Sequence, residues 1–136
     1  MSSAARSVAR SPVTRRPAWV PQRQDVIWID CNPQAGGEMR DRHPMLVLSP
    51  GDFNARTGLI IGLPMTTADY NASNPFAVAA GVARGRKAGK TSYVLCHQPK
   101  SFDWHARGAK PHPQGKVGDD VFAEARALLN QIVEIG

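Results

Sequence analysis

The first dense apolar run is "DVIWID", Asp25–Asp30, closed by the turn formers of "NPQAGG". After a charged stretch comes "MLVLSP", a short apolar strand ended by Pro50. "GDFNARTG" reads as a long turn, with Gly, Asn and Asp where left-handed or turn geometry is needed. "LIIGLPMTT" supplies a third strand from Leu59 to about Met65, and Pro75–Ala80 and Thr91–Gln98 supply two more. The "GVARGRKAGK" between these last two is Gly-spaced and basic, hence a loop or hairpin connection. Strands this close together leave no room for crossover helices, so the pattern predicts a mainly β (α+β) domain: an antiparallel, strongly curved sheet or small barrel.

Only after "RGAKPHPQGKVG" does the period change. Val121, Phe122, Ala125, Leu128, Leu129, Ile132 and Val133 recur at three and four residues, which predicts a C-terminal helix with one apolar stripe. Asp119 and Asp120 stand at its start, where the helix dipole favours negative charge. The stripe is expected to pack on the barrel or on a second subunit.

Composition sets bounds on this picture. The chain of 136 residues is one domain's worth, and no apolar run approaches the roughly 20 residues a membrane helix needs. Residues 1–22 are mostly Ser, Ala, Arg and Pro without apolar period, and are read as a flexible basic arm preceding a domain over 23–136. The arm lacks a secretory apolar core, although its composition overlaps with that of organelle transit peptides. Cys31 and Cys96 make no disulfide framework, and neither they nor the four histidines show metal-ligand spacing. Two small buried thiols in a reducing cytoplasm, with no metal and no cofactor, is the expectation. Net charge is +6 but uneven: residues 84–116 hold eight bases against Asp103 alone. Such polarity suits a phosphate-rich partner.

The candidate chemistry sits in "GGEMRDRHPMLVLSP", where Glu38, Arg40, Asp41, Arg42 and His43 crowd the mouth of the second strand. Taken with "DVIWIDCNPQAGGE", "LPMTT" and "HQPKSFDWHARG" in that order, this segment resembles the MazF/PemK family of toxin endoribonucleases, from about Gln24 to the C-terminus. The resemblance implies an SH3-like antiparallel barrel (MazF/CcdB-like) with a C-terminal helix, assembled as a homodimer in the cytoplasm. It implies metal-independent cleavage of single-stranded RNA at short sequences, leaving a 2′,3′-cyclic phosphate and a 5′-hydroxyl. It also implies a small acidic antitoxin covering the RNA groove, with DNA met only indirectly through the antitoxin complex. A non-catalytic toxin on the same barrel, of the gyrase-poison kind, and a catalytically weakened RNA-binding regulator are the competing readings.

Cleaving RNA through its own 2′-hydroxyl needs a base for the 2′ proton, donors for the charged phosphorane and a proton for the departing 5′ oxygen. Arg suits the phosphorane because its planar fork holds two phosphate oxygens, and a hydroxyl can add a neutral donor. In the family, an arginine directly before the proline that opens the second strand is catalytic, supported by the first threonine after the third strand. Thr66 matches that threonine and Glu38 a glutamate five positions before the arginine. The arginine position itself carries His43, with Arg42 one earlier. Three readings stay open: His43 acts as acid or base, Arg42 reaches the phosphate instead, or activity is lost. Neighbours in an extended segment point to opposite faces, so both cannot enter one site without a bend. Thr66 also has a plain reading, holding the turn, and Glu38 a solvated one.

Further RNA contacts expected from the resemblance and the basic patch are Arg40, Thr67, Lys90, Gln98, Lys100 and Arg107. Trp104 reads either as a stacking surface for a base or as a buried aromatic, and Trp28 as core or dimer interface.

Overall fold

The structure, a computed structural model, describes residues 19–31, 42–83 and 89–134. Residues 1–18, and with them most of the predicted arm, lie outside the described residues, as do Glu38, Arg40 and Asp41 of the charged stretch.

Seven strands occur among the described residues: β1 (Asp25–Asp30), β2 (Arg42–Val47), β3 (Leu59–Thr66), β4 (Ala77–Val82), β5 (Thr91–Leu95), β6 (Lys100–Asp103) and β7 (Lys110–Lys116). Helix α1 (Gly51–Thr57) joins β2 to β3, a 3-10 turn (Asp69–Ser73) precedes β4, and α2 (Asp119–Val133) follows β7. Neighbouring strands run antiparallel in the order β4-β5-β3-β2-β1-β7, with β6 also on β3. The sheet divides along β3. Its first half pairs with β6, Leu59 to Gly62 opposite Asp103 to Lys100, while its end pairs with β5 through Met65–Val94 and Thr66–Tyr93. Two partners in succession along one strand curl the sheet into the half-barrel that the strand spacing predicts.

Both faces of the central strands are covered, which is why "DVIWID" and "MLVL" read as nearly continuous apolar runs. Val26, Leu46, Leu63, Met65, Val78 and Val94 form one core, into which α2 inserts Phe122 and Ala125. Ile27, Ile29, Met45, Val47 and Ile60 form the other, closed by Trp104. Gly62 stands where β2 and β3 cross most closely: a Cβ there would lie 2.5 Å from the Leu46 carbonyl oxygen. Among the described residues no helix is long and apolar enough to cross a membrane.

Three elements depart from the sequence reading. "GDFNARTG" is not a long turn but α1, stopped by Gly58 in the left-handed region (φ 75°), whose N–H donates to Asn54 O. Seven residues are too few to show a helical period, and the turn-former Asn54 points inward. Its buried amide donates to Pro21 O (2.8 Å) and Ser49 O (3.1 Å) and accepts from the Ser49 hydroxyl (2.6 Å). β6 and β7 have no counterpart in that reading: β6 is only four residues long, and β7 is polar and interrupted by Pro111, Pro113 and Gly115. Prolines are tolerated there because β7 is an edge strand. β1 keeps its predicted bounds, whereas β2 begins at Arg42, β4 at Ala77, and β5 stops at Leu95.

Candidate functional site

Because β2 begins at Arg42, the two residues in question are strand residues with assigned partners: Arg42 lies opposite Asp30, and His43 opposite Ile29. Directly paired residues share a face of the sheet and neighbours alternate. His43 therefore belongs to the face of Ile29 and Met45, and Arg42 to that of Trp28 and Pro44. The side chain of Arg42 runs toward the turn before β7, where a Cβ on Gly108 would lie 3.7 Å from its Nη2. The bend that would bring both into one site is absent, since β2 is regular through Arg42–Val47.

Thr66 closes β3. β2 and β3 pair Met45 with Pro64, and the same register carried two residues further sets His43 level with Thr66 on a common face. The Thr66 Oγ1 accepts the Ala68 N–H at 3.1 Å, so the hydroxyl helps hold the turn while its own proton stays available to donate. Thr67 follows, half-buried. Across β3 from the threonine lies Tyr93, and across β5 from Tyr93 lies Ala79. One row thus crosses four strands: His43, Thr66, Tyr93, Ala79. Tyr93 is absent from the sequence reading because, within "TSYVLCHQ", only alternation with buried Val94 marks it as outward-facing.

The basic and amide candidates lie around this row. Exposed Lys100 pairs with Gly62, on the same face as Thr66 and about 13 Å along β3 at the usual strand rise. Exposed Gln98 stands in the turn before it, its amide 3.3 Å from His97 Nε2. Exposed Lys90 is at the far end of the β4–β5 connection, where its carbonyl accepts the Ala83 N–H. Arg107 is tied into the fold: its guanidinium lies 4.6 Å over the Phe102 ring and its Nη1 donates to Asp30 O at 3.1 Å. Trp104 resolves to the buried alternative, with Nε1 donating to Asn54 O at 2.9 Å and His105 stacked on its ring. Trp28 is half-buried and packs on the imidazole of His112, ring centres 4.4 Å apart.

Two titratable groups away from the row are perturbed by burial. Desolvation lowers the pKa of His112, favouring the neutral ring whose Nδ1 accepts the Gln114 N–H at 3.0 Å. The Cys96 thiol is pushed up to about 11 by burial, with a smaller contribution from Glu124, so it is not a nucleophile at neutral pH. The Cys96 thiol is free and buried.

Residues 22–133 match the family described as PemK-like, MazF-like toxin of type II toxin-antitoxin system. The chain is 33% identical over 115 residues to the endoribonuclease toxin MazF of Escherichia coli K12, spanning 85% of this chain and 96% of the relative. It is 33% identical over 92 residues to the endoribonuclease PemK of Escherichia coli, 65% of each chain. Its fold superposes on a MazE-MazF crystal structure from Deinococcus radiodurans (Form-II) with a TM-score of 0.71 and 32% identity, over 88% of this chain and all of that one. MazF alone from the same organism (Form-I) gives 0.69 at 32% identity, over 87% of this chain and 100% of that one. With a curved antiparallel sheet, a closing helix and matches of this extent, the chain belongs to the PemK-like, MazF-like toxins of type II toxin–antitoxin systems.

Proposed function

We propose that this protein is a cytoplasmic toxin endoribonuclease that cleaves single-stranded RNA by attack of the RNA's own 2′-hydroxyl, and that His43 and Thr66 form the centre of its site. The observation that carries the assignment is the Met45–Pro64 pair of β2 and β3, two residues from each of them, which gives His43 and Thr66 a common face and Arg42 the other. In the reaction the 2′ oxygen loses its proton and bonds to phosphorus, and the P–O5′ bond breaks. The 5′ oxygen gains a proton, leaving a 2′,3′-cyclic phosphate and a 5′-hydroxyl. Imidazole can exchange protons at neutral pH, and the Thr66 hydroxyl can donate to a phosphorane oxygen. Neither role calls for a metal ion. Lys100 beside β3, together with Lys90, Gln98 and Thr67, supplies further contacts to the RNA. Arg42 and Arg107 supply positive charge from the β1 side.

The working form is a homodimer. Leu59 and Ile61 of β3 alternate with Leu63 and Met65 and so share the face that α2 covers further along, yet they are 37% and 41% exposed. Ile132 and Val133, at the end of the α2 stripe, are 42% and 41% exposed. A second copy would cover these residues, and sedimentation over a range of concentrations reports it. The antitoxin is a small acidic protein laid across the same basic face, displacing RNA, and DNA is met only through that complex.

The test is mixed-sequence RNA incubated with purified protein in EDTA. Discrete fragments ending in cyclic phosphate support the proposal. RNA that stays intact overturns it, and inhibition of DNA gyrase in the same preparation would replace it with the protein-binding alternative. RNA bound without being cut would identify a regulator.

A further inference from the structure

Resting on the reading of His43 and Thr66 as the cleavage centre, we infer that Tyr93 is a stacking platform for the nucleobase beside the scissile phosphate. Its position follows from pairing. Tyr93 is directly opposite Thr66, which puts their Cβ atoms about 4.5–5.5 Å apart in an antiparallel ladder. A phosphate held by the Thr66 hydroxyl would thus have an aromatic ring within one nucleotide's reach.

On the β4 side that ring has only small neighbours. Tyr93 alternates with Ser92 and Val94, which are buried, so its side chain is on the outer face of β5. Its neighbour on β4 is Ala79, an exposed methyl that cannot cover an aromatic ring, and the next outward pair, Leu95–Ala77, again sets a small residue on β4. The side chain is half-buried, and its hydroxyl makes no hydrogen bond to any described residue. A core tyrosine ordinarily finds a partner for its hydroxyl. Of the other aromatic groups, Trp104 is buried against His105 and Phe76 lies against His97 with ring centres 5.4 Å apart, while exposed Tyr70 lies beyond the end of β3, in the 3-10 turn. Tyr93 is the aromatic that pairs directly with Thr66 in the sheet.

Stacking on such a ring is indifferent to which base it meets, because every base has a π-face. Tyr93 would therefore contribute affinity and position instead of sequence choice, and the ring would matter more than the hydroxyl.

The experiment begins by mapping a cut site with the wild-type protein. An RNA oligonucleotide spanning that site, with a 2′-deoxy group at the cut nucleotide and a terminal fluorophore, then serves as an uncleavable probe for anisotropy. Tyr93→Phe is expected to bind it within twofold of wild type, and Tyr93→Ala about 5- to 150-fold more weakly. On cleavable RNA the Ala variant should raise KM more than it lowers kcat. Tyr93→Leu, which keeps bulk on the strand, should lose affinity as the Ala variant does, so that a folding defect in Ala does not decide the matter. Folded Ala or Leu variants that bind like wild type overturn the inference, as does a Phe variant as weak as Ala. Failure of the wild type to cut any RNA would instead sink the nuclease reading on which the inference stands.

Discussion

At the scale of single residues, the order of Arg42 and His43 before Pro44 decides which of the two side chains shares a face with Thr66. His43 occupies the position just before the proline, and regular pleating gives it the face of Thr66, while Arg42 is turned toward Gly108. If that division governs catalysis, His43→Ala should abolish RNA cleavage, by a factor of about 10²–10⁴ as for loss of a general acid or base. Arg42→Ala should weaken it less, mainly through KM. The opposite order in a steady-state assay would transfer the central role to Arg42. Restored cutting with His43→Arg but not His43→Gln would show that the position needs a cation. A second residue-scale effect concerns stability. His112 is held neutral by desolvation, so its folded pKa lies below the ordinary value of about 6.5. The unfolded chain then binds more protons between those two values, and stability falls as pH drops through about 6.5. Thermal melts at pH 7.5 and 5.5 should show wild type losing more than His112→Phe, which retains a ring against Trp28. Equal losses would mean that His112 is not the group responsible.

At the scale of elements, β3 carries the greatest burden. It pairs with β2 on one side and with β6 and then β5 on the other, so its register sets Thr66 opposite Tyr93 and on the face that His43 shares. A slip of one residue would send Thr66 to the buried face. Gly62 keeps β3 close to β2, and Gly62→Ala would drive a methyl into the Leu46 carbonyl, 2.5 Å away. The variant should unfold at lower denaturant, with a loss of about 1–3 kcal/mol, and should also lose activity because Thr66 moves with the strand. An unchanged urea midpoint would show that the strands accommodate the methyl without separating.

At the scale of the whole molecule, charge distribution decides how RNA is met. Residues 84–116 hold eight bases against Asp103 alone, so binding to single-stranded RNA should weaken steeply with salt. The logarithmic slope is about −0.7 per phosphate contacted. Lys100→Ala should reduce that slope by about 0.7 without changing the cut sequence, since an exposed lysine on a phosphate carries no base information. A shift in the cut sequence would instead make Lys100 a reader of bases.

Much of this architecture is written locally. β1, β2 and β3 are continuous apolar runs because both faces of the central sheet are covered, and α2 shows a full helical period, so pattern alone identifies them. α1, β6 and β7 have no such signature: they are short or polar, and they form because Asn54, Gly58 and the edges of β3 and β1 give their backbones partners. The site divides in the same way. That His43 and Thr66 stand at strand ends, and that alternate residues diverge to opposite faces, follows from the chain itself. Which strand lies beside which, and with what offset, is a matter of long-range pairing. Only the tertiary structure therefore sets His43 level with Thr66, sends Arg42 to the other face, and brings Tyr93 from a distant strand into the row.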